Sequence, residues 1–278
     1  MTDPRHCFPD QYMDLIFQLV GGPVHTETNA RTGAGIRAIP HPVHLLIDLR
    51  GGLMLPGNRA YFPHIAAAEV AWMLKGTRDP DFIMKHAPKL WGKFIEDGKL
   101  RTAYGYRWRW HFGRDQLGLA VAALQADPTN RQCWVQAWDP SCDGLGTPGQ
   151  PKNIPCPVGF TINVIKGRLN LSVFIRSSDV YVGLPYDVMG YAILASLIAN
   201  ELGVEVGHLS VTLAHAHLYD VHLDLAKEDL SRVWNPDRMA FSSLTISEAE
   251  RHAPLLVDYY KAQKPNPHLP RKLPELIE

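Results

Sequence analysis

The sequence predicts an α+β fold built on a mixed β-sheet. Three observations carry this. Helical and strand periodicities both occur, without the regular β-α-β rhythm of a doubly wound sheet. Residues 158–165 and 168–176 alternate about Lys166-Gly167, which reads as a tight hairpin. The most apolar helix, residues 187–202, follows it and closes at Gly203. At 278 residues the chain is long enough for a sizeable core, and one domain over 1–278 is expected.

Taken in order, residues 10–20 read as an amphipathic helix with Met13, Ile16, Phe17 and Val20 on its inner face. Residues 29–35 form a glycine-punctuated loop around Arg31, either a plain turn or a place where backbone amides approach a ligand. Residues 43–50 suit a strand and 64–75 a helix stopped by Gly76. Glu69 lies amid apolar residues of that helix, so it is either on a polar face or buried and functional. The aromatic-rich 103–111 is a surface loop or a platform on which Trp108 stacks a flat ligand. Residues 115–126 are a helix and 132–138 a strand, and a Gly/Pro-rich loop then leads to Cys156. Residues 208–219 read as one strand, with His215, His217 and Tyr219 on one face. Those rings are solvated surface or ligand contacts. Residues 222–232 are helical, and the proline-rich tail from Lys264 either caps a site or trails.

Composition narrows the partners. Formal net charge is zero and no Lys/Arg stripe stands out, which argues against a nucleic-acid polymer. A mononucleotide needs only a few arginines. The four cysteines make no C-x-x-C pair and no zinc spacing, so free thiols and no metal are expected. The longest apolar run, Tyr191 to Asn200, is too short to span a bilayer, and no leader pattern opens the chain. A soluble cytoplasmic protein without membrane contact is expected.

Cys156 stands out from the other cysteines. Prolines flank it, it opens a strand, and the hairpin brings Arg176 alongside. A nucleophilic thiolate needs such a cation.

These segments together resemble the thymidylate synthase superfamily over nearly the whole chain. The matching stretches are R-T-G-A-G (31–35), the Glu69 helix with W-x-L-x-G, Y-G-x-x-W-R (104–109), D-Q (115–116), D-P-x-x-R (127–131), P-C (155–156), R-S-x-D-x-x-x-G-x-P (176–185) and H-x-Y (217–219). The resemblance implies a thymidylate-synthase-like fold, with a mixed sheet at a homodimer interface covered by helices. It implies that Cys156 adds to C6 of a pyrimidine mononucleotide and that C5 takes a one-carbon unit from the cosubstrate 5,10-methylenetetrahydrofolate. Arg31, Arg176 and Ser177 would hold the 5′-phosphate, with Arg131 reaching across from the partner subunit. His217 and Tyr219 would hold the sugar 3′-hydroxyl, and Glu69 would relay protons. Trp108, Asp179 and Gly183 would meet the folate. The location would be the host cytoplasm if the chain is phage-encoded.

The departures decide the substrate expected. Where synthases carry P-F-N, this chain has P-Y-D, ending in Asp187. A carboxylate accepts from the 4-amino group of cytosine, and a proton shared with N3 would activate C6. The same change marks the cytidylate hydroxymethylases of the superfamily. Asp187 is otherwise a helix N-cap. Asn153, two residues before the Pro-Cys pair, replaces an apolar residue and suits a bound water, whereas Trp108 shields the intermediate. Hydroxymethylation of dCMP is therefore expected. Methylation of dCMP, CMP hydroxymethylation in nucleoside-antibiotic synthesis, and nucleotide binding without turnover are the alternatives. Pro157, Gln132 and His215 also depart from the family pattern and motivate the last of these.

Overall fold

A computed structural model describes residues 6–29, 32–232 and 235–265. Its main sheet has five strands: β3 (Val43–Asp48), β5 (Trp134–Gln136), β6 (Pro157–Ile165), β7 (Arg168–Ile175) and β9 (Glu205–Leu213). Their order is β3-β9-β7-β6-β5, with β7 and β9 parallel and every other pair antiparallel. The sheet is thus mixed, as expected. The parallel pair needs a crossover, and α7 (Leu184–Leu202) supplies it. Leu169, Leu171, Val173 and Ile175 of β7 share the inner face with Leu209, Val211 and Leu213 of β9, all buried. α7 lies against this face and is buried nearly all round. Each such Leu or Ile contributes roughly 1.5–3 kcal/mol. The opposite face carries the cross-strand row Trp134, Thr161, Ser172 and Ser210, and Trp134 is 48% exposed.

A smaller sheet is ordered β1-β2-β10-β8, from β1 (His25–Thr28), β2 (Gly35–Ala38), β8 (Ser178–Asp179) and β10 (Ala216–Tyr219). β4 (Leu53–Leu55) pairs with β11 (Asp237–Met239). The other helices are α1 (Phe8–Gly21), α2 (Pro63–Leu74), α3 (Asp81–Met84), α4 (Pro88–Trp91), α5 (Tyr104–Tyr106), α6 (Gln116–Ala126), α8 (Leu223–Ser231), α9 (Ile246–Arg251) and α10 (Ala253–Ala262). No helix of the described residues is long and apolar enough to cross a membrane.

The hairpin forms as the sequence predicts. Lys166 (φ 51°) and Gly167 (φ 69°) both adopt the left-handed backbone that a two-residue turn between twisted strands needs. Four expectations need correction. The inner face of α1 is Phe8, Tyr12, Leu15, Ile16 and Leu19, while Phe17 is 67% exposed. The Tyr12 hydroxyl reaches the Tyr181 carbonyl at 3.4 Å, which lets a tyrosine face inward. The 208–219 segment is two strands in two sheets, broken at Ala214-His215. There Ala214 N–H bonds Ile175 and Ser178 N–H bonds the His215 carbonyl. Segment 103–111 is no loop: α5 runs into a π-helical turn, Arg107–His111, and Trp108 is 2% exposed. Gly105 permits this, because a Cβ there would lie 1.9 Å from the Met73 carbonyl oxygen at the end of α2. Lastly, α7 starts three residues before Asp187. Gly183 holds the N-cap position, and the Asp187 N–H already bonds the Gly183 carbonyl at 3.0 Å. Asp187 is therefore not a cap. Arg31 and the tail from residue 266 lie outside the described residues.

Candidate active site

A cavity of about 440 Å³ opens between α2, the start of α7, the end of β7 and the loop before β6. Cys156, Glu69, Asp187, Arg176, Ser177, His217, Tyr219, Trp108, Asp179 and Gly183 all line it. Two predicted residues are not seen there. Arg31 is not described, and Arg131 is exposed in a separate depression formed by residues 127–132.

The hairpin places the thiol. Cys156 immediately precedes β6 and Arg176 immediately follows β7, and the Arg176 N–H bonds the Cys156 carbonyl at 2.9 Å. The guanidinium folds back over the same loop. Its Nε donates to the Pro155 carbonyl at 2.9 Å, and its Nη2 to the Ile154 carbonyl at 3.0 Å. Nη2 also lies 3.8 Å from the Cys156 sulfur. The strand register shifts between Pro157 and Gly159, an irregularity of the kind that re-aims a neighbouring side chain.

The opposite wall is acidic, and among the described residues no cation is ion-paired with its carboxyl groups. Burial pushes the Glu69 carboxyl up to about 7, against a 2.8 Å hydrogen bond from the Trp91 indole. Burial, followed by the charges of Glu69 and Asp179, pushes Asp187 up to about 8. Asp187 is thus a neutral acid near pH 7, with one donor and one acceptor on the same edge. Glu69 titrates where a proton relay must. Burial drives the His217 imidazole down, opposed by Asp179, so the ring is neutral. Its ring centroid lies 5.1 Å from that of Tyr219 and 5.3 Å from that of His215, so the three rings stay neighbours despite the broken strand.

Several polar atoms of cavity-lining residues are buried and unsatisfied among the described residues. They are Asp179 Oδ2, Trp108 Nε1, Ser178 Oγ and the Tyr186 hydroxyl. Asp179 Oδ1, in contrast, accepts from the Tyr181 and Val182 amides at 3.0 and 3.1 Å. Buried groups of this kind are normally paired, so these await a ligand or water.

Sequence reasoning missed four lining residues. Tyr104 stands in the Y-G-x-x-W-R motif, and its hydroxyl is driven far up by burial and by Cys156 and Asp187. Tyr191 lies one helical turn from Asp187, a spacing that would have flagged it. Tyr186 is the middle residue of P-Y-D. Trp91 carried no sequence signal, since α4 reaches Glu69 only through the fold.

Among the described residues, one cluster has metal-ligand chemistry: His111, Asp139 and Cys142. The Arg107 guanidinium already supplies its cation. It lies 3.1 Å from His111 Nε2, 3.6 Å from Cys142 Sγ, 3.7 Å from Asp139 and 2.9 Å from Asp143.

A thiol against a guanidinium, facing carboxyl groups that titrate near neutrality, equips an enzyme for nucleophilic addition to a flat heterocycle. The family model described as Thymidylate synthase matches residues 10–264, and the chain belongs to that family. The family carries out folate-dependent transfer of one carbon to C5 of a pyrimidine, with 5,10-methylenetetrahydrofolate as cosubstrate, and its members are typically homodimers. The chain is a transferase of this type.

Proposed function

We propose that the chain hydroxymethylates a cytidine monophosphate, dCMP, at C5. The observation that carries this is Asp187: a buried carboxyl on the cavity wall, beside Glu69 and Asp179, that burial and those charges keep protonated. Cytosine offers a 4-amino donor and an N3 acceptor on one edge, and a carboxylic acid answers both. An amide can also pair with that edge, but only an acid can hand its proton to N3. Protonation there withdraws electrons from C6, where Cys156 adds. Uracil O4 is far less basic and gains less. Selection therefore acts on turnover as well as on binding.

Arg176 supports the thiolate and, with Ser177 and Arg31, meets the 5′-phosphate, while Arg131 of a second copy completes that site. His217 and Tyr219 hold the sugar. Asp179 Oδ2 and Trp108 Nε1, an acceptor and a donor without partners among the described residues, fit the ring edge of a pterin, and Gly183 lets it approach. The folate supplies its carbon at the methylene level. Two copies meet through the outer face of the main sheet, and sedimentation at micromolar concentration should report a dimer.

The hydroxymethyl product is supported by Asn153, a polar residue that lines the cavity on the Cys156 loop. The buried Trp108, T-shaped against Phe160 at 5.2 Å, favours the methyl product. Mass spectrometry of the product from dCMP, CMP and dUMP separates these readings, with hydroxymethyl-dCMP expected. Tritium release from C5-labelled dUMP, but from neither cytidine nucleotide, would sink the cytosine assignment.

A further inference from the structure

We propose that the Tyr186 hydroxyl holds the water molecule that is added to the transferred carbon. This rests on the hydroxymethyl reading above and explains how the site achieves it.

Tyr186 sits in the first turn of α7, one residue before Asp187. Tyr186 lines the cavity, and its hydroxyl is buried with no acceptor for its O–H among the described residues. The Phe62 backbone amide is directed at the hydroxyl oxygen, and Arg59, Tyr61 and Glu69 act on it electrostatically. Burial pushes the hydroxyl well up, so it stays a neutral donor and acceptor. A trapped water needs at least two polar partners. The Tyr186 hydroxyl offers one and the Glu69 carboxylate a second. The same carboxylate takes the water's proton.

The step balances without an oxidant or reductant. Once the carbon has been transferred and C5 has lost its proton, C5 carries an exocyclic methylene and Cys156 remains on C6. The water oxygen forms a bond to the methylene carbon, and its proton passes to Glu69. The C5–methylene π pair moves toward C4. It then returns to form the C5–C6 double bond as the C6–S bond breaks, releasing the Cys156 thiolate. Water is the only co-reactant. A phenyl ring at position 186 leaves Glu69 as a single partner, and the water is no longer held.

The test compares wild type with Tyr186→Phe. Phenylalanine stands at this position in the P-F-N motif, so the ring packing is kept. Tritium release from C5-labelled dCMP reports every step up to proton loss from C5. Mass spectrometry of the same samples reports the final adduct. With enzyme in excess over substrate, so that only one turnover occurs, the rate of tritium release from Tyr186→Phe should stay within about threefold of wild type while hydroxymethyl product forms roughly tenfold more slowly, the value of one lost hydrogen bond. An unchanged product rate overturns the proposal, as does a parallel fall in release and product, which would place Tyr186 earlier. If Asn153→Ala uncouples the two readouts and Tyr186→Phe does not, the water sits on the other wall and the proposal falls. A methyl product from wild type overturns the hydroxymethyl reading itself. That outcome is scored before any variant is made, so the two failures are distinct.

Discussion

Two clusters of buried ionisable groups lie on either side of the 104–111 segment, and they are built in opposite ways. Around Arg107, each carboxylate has the guanidinium as an opposite charge, although Arg107 Nε has no partner among the described residues. Asp143 and Asp139 flank the guanidinium, and His111 and Ser141 hydrogen-bond Asp139 and hold its carboxyl low despite burial. Around Asp187, no carboxyl is ion-paired among the described residues. Asp187 and Glu69 share a wall with Asp179; burial pushes both titrations toward neutrality, and the charges of Glu69 and Asp179 add to the rise at Asp187. The same turn feeds both, since Arg107 and His111 face the 139–143 loop while Trp108 faces the cavity. A matched cluster stabilises a loop. An unmatched one costs stability and is kept where chemistry needs mobile protons.

The contrast can be broken by substitution. Cys156→Ser should lower turnover most, by roughly 10⁴-fold, because the proposed reaction puts the covalent bond on the sulfur. Tritium release measures this, and an unchanged urea midpoint would show that the fold survives. Asp143→Ala strands a buried guanidinium and should cost about 3–5 kcal/mol in urea unfolding. A loss below about 1 kcal/mol would mean the matched cluster is not structural. Glu69→Gln should leave stability intact or raised while slowing turnover by about 10²-fold, and it should remove a pH limb near 7.

Asp187 gives the sign of a pH effect. Its carboxyl is raised in the fold, so the folded state keeps a proton that the unfolded chain releases above its ordinary value near 4. Its contribution is complete below that value and is lost as pH rises through about 8. The stability difference between Asp187→Asn and wild type should therefore widen in the variant's favour from pH 5 to pH 8. A constant difference would mean the acid is not held neutral. The same variant should move substrate preference toward dUMP. The smallest effect expected is that of Trp91→Phe. Losing the indole bond should raise the Glu69 limb of the pH–rate profile by under about one unit, since one hydrogen bond is worth about 1 kcal/mol.

Much of this was legible in the sequence, for identifiable reasons. The hairpin, α7 and the thiol–arginine pair are local, so turn chemistry and strand alternation reveal them. α1 was found but rotated, because the apolar Phe17 competed with Tyr12 for the inner face and only a tertiary bond decides between them. The break at His215 was hidden because two strands in different sheets share one alternation. The pair β1 and β2 escaped notice because each has only four residues, and β1 is wholly exposed. Within the site, the residues carried by ordered motifs were readable. Trp91 was not, since its partner Glu69 is 22 positions away and nothing in α4 announces the contact.

The three backbone contacts of Arg176 have a consequence for how the chain tolerates change. The carbonyls of Ile154, Pro155 and Cys156 are all gripped from β7. The sulfur is thus located by the strand behind it rather than by the long loop that delivers it. Leu145, near the middle of that loop, is 90% exposed. Two residues inserted there would lengthen the loop yet leave the rate of tritium release within about twofold, the usual indifference of a surface site. The thiol is insulated from drift in its own approach.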